Sequence, residues 1–481
     1  MITSADFVVI LPELVLVGGA IVVLLLDAFW PKFARNLGVL SVAIIVFAAL
    51  FVLQWSAVSR TPAFGALTND GFTKFFGFLI LISAFLVAML STGLIERREI
   101  QGGEYLIGIL ICSAGMLLMT RSTNLMVIFV ALEVLSVALY MMIGYDRVNA
   151  DSGEAALKYF LLGAFASAIF IFGAVLIYGQ TGSVTIIGGP VPIWSTSLGT
   201  IGVIMLIVGM GFKVSIVPFH LWTPDVYQGA PAPVTAFLSS ASKAAALAVL
   251  LRIVFPGLSG DAWQSMWPWL AAATMLLGNI VALVQEDVKR ILAYSSVAHV
   301  GFILMALAAG TGLGAASVIF YMLTYALATI GSFGVIAALP GDDRGRVDLH
   351  YIRGMSRSHP WLAGFMALFV LSLAGVPPLI GFTGKLVAFR ATLAAELYAL
   401  AIFGALNAAM AVYYYLRIII RMYMEPRAEP LRFGVPQMTY ASLAIVGISV
   451  VMLGIFPDHL IDLARRAAAD LLVATGMMAG L

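Results

Sequence analysis

Cysteine is almost missing from this chain, and so is charge. The single cysteine, Cys112, lies inside an apolar run, which excludes a disulfide framework, a CxxC pair and a thiolate set for an iron–sulfur cluster. No glycine-rich βαβ fingerprint for a nicotinamide or flavin is present, and the five histidines do not pair at haem spacing. The expectation is that the chain itself binds no redox cofactor and no metal. Charged residues make up 10% of the sequence, against about 25% in soluble domains. No basic tract or acidic tail stands out, so a nucleic-acid partner is excluded.

What fills the chain is apolar. Hydrophobic residues are 62% of 481 and mean hydropathy is +1.05, the composition of an all-α polytopic membrane protein in contact with a lipid bilayer. Runs of about 17 to 25 apolar residues give fourteen spans. They begin near Phe7, Leu37, Phe72, Glu104, Asn124, Ala155, Leu198, Pro233, Trp267, Ile291, Ala315, Trp361, Thr392 and Met438. The first run has no positive n-region and exceeds a signal-peptide core, so it reads as a retained helix. Loops after odd-numbered spans carry the basic residues, among them Lys32, Arg35, Arg97, Arg98, Arg147, Lys289, Arg290, Arg344, Arg346, Arg353 and Arg357, whereas even loops offer little beyond Arg60 and Arg121. By the positive-inside rule odd loops are cytoplasmic and both termini face the other side. The tail after Pro457 mixes apolar and charged positions and predicts a short interfacial helix opening at Asp458.

Against this background a few ionisable residues stand out. Lys243 lies in the middle of an otherwise chargeless run, Glu133 is central in LMVIFVALEVLSVALYMMIG, Lys213 precedes Pro218, and Lys385 follows Pro377 and Pro378. A charge at bilayer depth costs from about 2.5 to more than 10 kcal/mol depending on the reference, which makes such residues functional candidates. His299 sits mid-span among serines and joins the set, although a lone histidine also serves as a packing residue. Lys158 follows the amphipathic start DSGEAALKYF and reads equally as a surface anchor. His220 fits either the satisfaction of a broken helix or proton transfer, and Asp225 reads as a loop-ordering residue. A proline in a span frees a backbone carbonyl. The two proline-broken spans are five apart, and Glu133 to His299 and Lys213 to Lys385 are offset similarly, by about 166 and about 172 positions. Five being odd, a second copy enters the membrane upside down, the inverted-repeat arrangement of transport proteins.

Lysines carry protons well and metal cations poorly, because an ammonium repels a cation and offers no lone pair. The proton affinity of a buried lysine responds to any carboxylate that approaches it. Glu133 beside Lys213, then Lys243 and His299, then Lys385 would form a proton path in the membrane plane. Serines 239, 240, 242, 295 and 296, with waters, would complete it.

The stretches FKVSIVPFHLWTPDVYQGAPAPVTAFLSSASKAAAL, QEDVKRILAYSSVAHVGF and LAGVPPLIGFTGKL resemble the antiporter-like membrane subunits of complex I (NADH:quinone oxidoreductase) and their Mrp antiporter and membrane-bound hydrogenase relatives. DVYQGAPAPVTAF and the short length resemble the subunit-N branch of that family. The resemblance spans almost the whole chain. It implies fourteen helices with two inverted five-helix repeats: a three-helix segment over 1–100, repeats over 101–257 and 262–424, and a last span with a short helix over 430–481. It implies that Glu133 and Lys213 act as a glutamate–lysine pair, Lys243 as the connecting lysine, Lys385 as the exit-side lysine and Lys158 as a further lysine near the pair. It also implies other membrane subunits as partners, NADH, FMN, iron–sulfur clusters and quinone held in other subunits, and a bacterial inner membrane. The alternatives left open are a cation/proton antiporter subunit and a mainly structural subunit.

Overall fold

The computed structural model describes residues 4–30, 36–54, 63–98, 102–186, 196–255, 265–342, 345–427 and 429–474. Lys32, Arg35, Arg60 and Arg344, and the expected boundaries at 100–101 and 257–262, lie outside them. The described residues form helices with no named strand. Twelve of the helices are long and apolar enough to cross a membrane, and the shorter apolar helices Leu37–Leu53 and Pro360–Ala374 stand at the second and twelfth expected positions.

In chain order the main elements are α1 (Leu11–Phe29), α2 (Leu37–Gln54), α3 (Gly71–Arg98), α4 (Gly102–Arg121), α5 (Leu125–Ile143), α6 (Ala150–Thr181), α7 (Ser197–Val214) and α8 (Thr223–Gly229). Next come α9 (Ala232–Val254), α10 (Met266–Val284), α11 (Val288–Leu307) and α12 (Gly312–Ala338). The chain ends with α13 (Pro360–Ala374), α14 (Ile380–Ala394), α15 (Tyr398–Tyr423), α16 (Gln437–Ile455) and α17 (Asp458–Ala474). The thirteenth span was expected from Thr392, but Thr392 belongs to α14, the second half of the broken twelfth span. The chain turns at Glu396, whose φ is positive, before α15 begins.

Three helices hold the interior. The central windows of α9, α12 and α11 are 100%, 94% and 89% buried, against 39% for α6, α10 and α15. Helices that are apolar all round lie inside, and those with an exposed apolar stripe meet lipid. Two fully buried arginines link elements: Arg121 of α4 donates to both carboxylate oxygens of Glu13 of α1 at 2.7 and 2.9 Å, and Arg252 of α9 reaches Thr68 and Asp70 at 2.9 and 3.3 Å. The amphipathic α17 lays Ala464, Ala467, Ala468 and Leu471 against α3 and α12.

The same local architecture occurs twice. Asn124 caps α5 while the Leu125 amide donates to the Val184 carbonyl; Asp287 caps α11 while the Val288 amide donates to the Val347 carbonyl. The displacement is 163 positions (288 less 125, 347 less 184). Helix contacts keep it too. A Cβ on Gly115 would meet the Leu135 amide and Ala131 carbonyl at 3.0 and 3.1 Å, and one on Gly278 the Ala298 amide and Tyr294 carbonyl at 2.5 and 2.9 Å. Such close backbone approach is how helices pack in lipid. The two breaks follow a displacement of 160 (375 less 215): Ser215 closes α7 and Gly375 closes α13, both left-handed with φ of 73° and 88°, and each precedes a cis X–Pro bond.

This register corrects the expected pairing of side chains. At 163 positions the counterpart of Glu133 is Ser296, and His299 falls opposite Ser136. At 160 positions the counterpart of Lys385 is Asp225, so Lys213 ends the half-helix before its break whereas Lys385 lies in the half-helix after it. Offsets taken between residues of like chemistry mark where charge sits, not where backbones correspond.

Candidate functional site

Lys243 is 1% exposed and follows a π-helical turn, Leu238–Ser242, inside α9. One extra residue per turn rotates the following helix relative to the preceding one by about 100°. That rotation aims Lys243 at α11, where its Nζ donates to Ser296 Oγ. The Tyr325 hydroxyl, from α12, donates to the same oxygen at 2.8 Å, and the Tyr227 hydroxyl lies 3.5 Å from it. Lys243 Nζ also sits 5.8 Å from the Tyr227 ring centroid. The ammonium thus rests among hydroxyls and an aromatic face, with no carboxylate of the described residues within ion-pair distance. Ser239 and Ser240, expected in the path, instead donate to the Ala236 carbonyl at 3.1 and 2.6 Å, stabilising the π turn.

On one side lies Lys213, also buried. Its Nζ donates to Ser136 Oγ at 2.8 Å and to the Tyr159 hydroxyl at 3.2 Å, and lies 4.8 Å from the Tyr159 ring centroid. The direct Glu133–Lys213 contact expected from sequence is absent: Lys213 reaches Ser136, one turn along α5 from Glu133, not the carboxylate. Glu133 instead lines a groove of about 550 Å³ with Phe129, Val134 and Met141. Its Oε1 is buried without a hydrogen-bond partner. Between Lys213 and Lys243 stands an aromatic series: Tyr159 packs on Trp222 at 4.7 Å and Trp222 on Tyr227 at 6.0 Å.

On the other side His299 is held at both ring nitrogens. Nδ1 lies 2.9 Å from the Tyr321 hydroxyl and Nε2 3.1 Å from the Tyr415 hydroxyl; Tyr415 also bonds Ser295. Phe302 follows one turn later, and the Lys385 ammonium sits 5.3 Å from its ring centroid. Lys385 Nζ donates to the Ala374 carbonyl at 2.7 Å, one of the carbonyls that the break of the twelfth span leaves unpaired within its own helix.

Lys158 does not join this buried series. Its side chain is 42% exposed and forms ion pairs with Glu154 at 2.7 Å and Asp225 at 2.8 Å. Asp225 also binds Arg290 at 2.8 Å, which links α6, α8 and α11; Asp225 itself lies within α8 rather than in a loop. Burial alone would raise the Asp225 carboxyl, but the hydrogen bonds from Lys158 and Arg290 outweigh it and hold the group below its ordinary value. His220 is buried beside the first break, with Nδ1 unpartnered. Among the described residues no three His, Cys, Asp or Glu side chains gather as a metal-binding group.

The tyrosines are what the sequence reading missed. Tyr321 and Tyr325 are four apart in IFYMLTYALA and therefore share a face of α12, and a phenol in a fully buried helix needs a polar partner. That pattern was available before the structure.

Residues 122–411 match a family described as NADH:quinone oxidoreductase/Mrp antiporter, TM. A curated relative, NADH-quinone oxidoreductase subunit N of Parvibaculum lavamentivorans, is 39% identical over 98% of this chain and 99% of its own length. A chain of respiratory complex I from Thermus thermophilus superposes with a TM-score of 0.81 at 33% identity, covering 94% of this chain and 99% of that one. A chain of the Mrp complex from a Dietzia species shares the fold, with a TM-score of 0.83 at 20% identity and 99% coverage of both. A family match over residues 122–411, and relatives more than 30% identical over nearly the full length of both chains, lead to one assignment: the chain belongs to the subunit-N family of NADH:quinone oxidoreductase, among the antiporter-like membrane subunits of complex I.

Proposed function

We propose that this chain translocates protons as a membrane subunit of a bacterial NADH:quinone oxidoreductase, in the inner membrane with both termini periplasmic. NADH oxidation and quinone reduction take place in other subunits, which hold the FMN, the iron–sulfur clusters and the quinone. The observation that carries the reading is Lys243: a buried ammonium on a fully buried helix, held by hydroxyls. A group so placed takes up and releases a proton without separating from a fixed counter-charge.

In this reading Lys213 and Lys243 are relay lysines separated by Tyr159, Trp222 and Tyr227. His299 passes the proton on, and Lys385 releases it beside the carbonyl of the broken helix. Glu133 faces its groove and sets the charge state of the first part of the row. Lys158 acts at the surface, through Asp225 and Arg290, on the segment that leads into α9. The recurring caps, bridges and helix contacts support two repeats, over 101–257 and 262–424, inverted because each holds five spans.

The test is purification of the tagged chain from membranes. Co-migration with flavin and iron–sulfur subunits, with NADH-driven proton uptake by vesicles of the same preparation, is expected. The likeness to the Mrp chain favours a second reading, cation/proton exchange. An assembly of membrane proteins alone, with sodium-dependent proton exchange and no NADH oxidation, would establish that reading instead.

A further inference from the structure

We propose that Tyr321 and Tyr415 make His299 a two-position proton switch, the step that passes protons from the Lys243 side of the row to the Lys385 side. This deepens the proton-translocation reading and rests on it. His299 is buried on α11 with a phenol at each ring nitrogen, 2.9 Å at Nδ1 and 3.1 Å at Nε2. A neutral imidazole has one N–H and one lone pair, and each phenol has one proton to give. Both hydroxyls cannot donate to the ring at once, nor can both only accept. Two arrangements satisfy the site. In the first, Tyr321 donates to Nδ1, Nε2–H donates to the Tyr415 oxygen, and Tyr415 donates to Ser295. In the second, every bond is reversed: Ser295 donates to Tyr415, Tyr415 to Nε2, and Nδ1–H to the Tyr321 oxygen.

The two phenols lie on different sides. Tyr415 bonds Ser295, the neighbour in sequence of the Ser296 that holds Lys243. Tyr321 stacks on Phe302, at 6.5 Å and 13° between planes, and the Lys385 ammonium lies over that same Phe302 ring. The transfer starts from the second arrangement. The Tyr415 O–H bond breaks as Nε2–H forms, and Nδ1–H breaks as its proton passes to the Tyr321 oxygen. Lys385, once its ammonium has released a proton, takes on its lone pair the proton that Tyr321 gives up, and Tyr415 regains one from Ser295, which is refilled in turn. One proton enters at Ser295, one leaves at Tyr321, and no electrons change hands. The ring ends in the other tautomer, with the hydroxyls reversed, and must turn back before it passes another proton. Phenylalanine would fill the same apolar space at either tyrosine, so packing does not account for the two hydroxyls.

The test is nitrogen-15 NMR of the intact complex labelled at histidine, with the His299 signals identified by their loss in His299→Gln, in wild type, Tyr321→Phe and Tyr415→Phe. Proton pumping is measured on the same preparations. A buried ring N–H without an acceptor costs more than an unused lone pair. Tyr415→Phe therefore locks the proton on Nδ1, Tyr321→Phe locks it on Nε2, and wild type shows both tautomers. Pumping falls by about tenfold or more in each variant, the effect of one lost hydrogen bond in a required step. The same tautomer in both variants, or pumping retained in both, overturns the switch. Loss of the transport reading has a different signature: Lys243→Met pumps as well as wild type.

Discussion

Ser296→Ala removes one oxygen from the centre of the row and little else. That oxygen accepts from the Lys243 ammonium and from the Tyr325 hydroxyl, and it lies in a site where Lys243 has no carboxylate to fall back on. A hydrogen bond to a charged group is worth about 1.5–3 kcal/mol, and each 1.36 kcal/mol is tenfold in a rate or population. The bridged arrangement between Lys243 and Tyr325 thus becomes about ten- to a hundredfold rarer. NADH-driven proton pumping by reconstituted vesicles is expected to fall in that proportion. The substitution deletes a single buried oxygen, so the assembled complex should keep its flavin and iron–sulfur content and its mobility on a native gel. Ser296→Thr restores the hydroxyl and should recover much of the rate. Wild-type pumping by an assembled Ser296→Ala complex would mean that the row does not pass through this oxygen.

Other outcomes follow from the same geometry. Glu133→Gln keeps the side-chain shape but removes its charge; pumping should drop by about a hundredfold, the lower end of what a positioned acid or base contributes, and an unchanged rate would exclude Glu133 from the path. Gly278→Val forces a side chain to within 2.5 Å of the Ala298 amide, so α10 and α11 must separate at a cost of about 1–3 kcal/mol; the yield of intact complex on a native gel should fall, whereas Gly364→Val, which meets nothing within 4 Å, should leave it unchanged. Asp225 has a depressed carboxyl, so its contribution to stability is present above the ordinary carboxylate range and lost as pH falls through its lower folded value. Thermal unfolding of Asp225→Asn should therefore lie below wild type at neutral pH and converge with it in acid. Equal curves at every pH would mean that the ties to Lys158 and Arg290 carry no stability, the common result for exposed ion pairs.

Much of this molecule could be read before its coordinates, for physical reasons that differ by residue. Lys243, Lys213 and Lys385 are conspicuous because burial of a charge in an apolar helix is costly, and all three are buried. The spans could be placed because length and hydropathy are nearly sufficient in a bilayer. What could not be read was rotation. The π turn before Lys243 leaves no mark in LSSAS that distinguishes it from α-helix, yet it decides that Lys243 meets Ser296. The face of α5 was equally hidden: Glu133 and Ser136 are three apart, and only packing shows that the serine meets Lys213 while the carboxylate faces a groove. Lys158 was ambiguous because its amphipathic segment is compatible with either a surface or a buried setting, and the Asp225 partner that fixes it lies 67 residues away. The sequence offsets of about 166 and about 172 exceed the observed displacements of 163 and 160 because residues of like chemistry do not occupy corresponding positions: Ser296 stands 163 positions after Glu133.

The central claim is that protons cross the membrane along this row by way of Lys243. Its most direct test is the number of protons translocated per NADH oxidised by the assembled complex, in wild type and in Lys243→Met. A lower ratio in the variant together with slower coupled quinone reduction is expected; an unchanged ratio at an unchanged rate would mean that protons do not pass by Lys243.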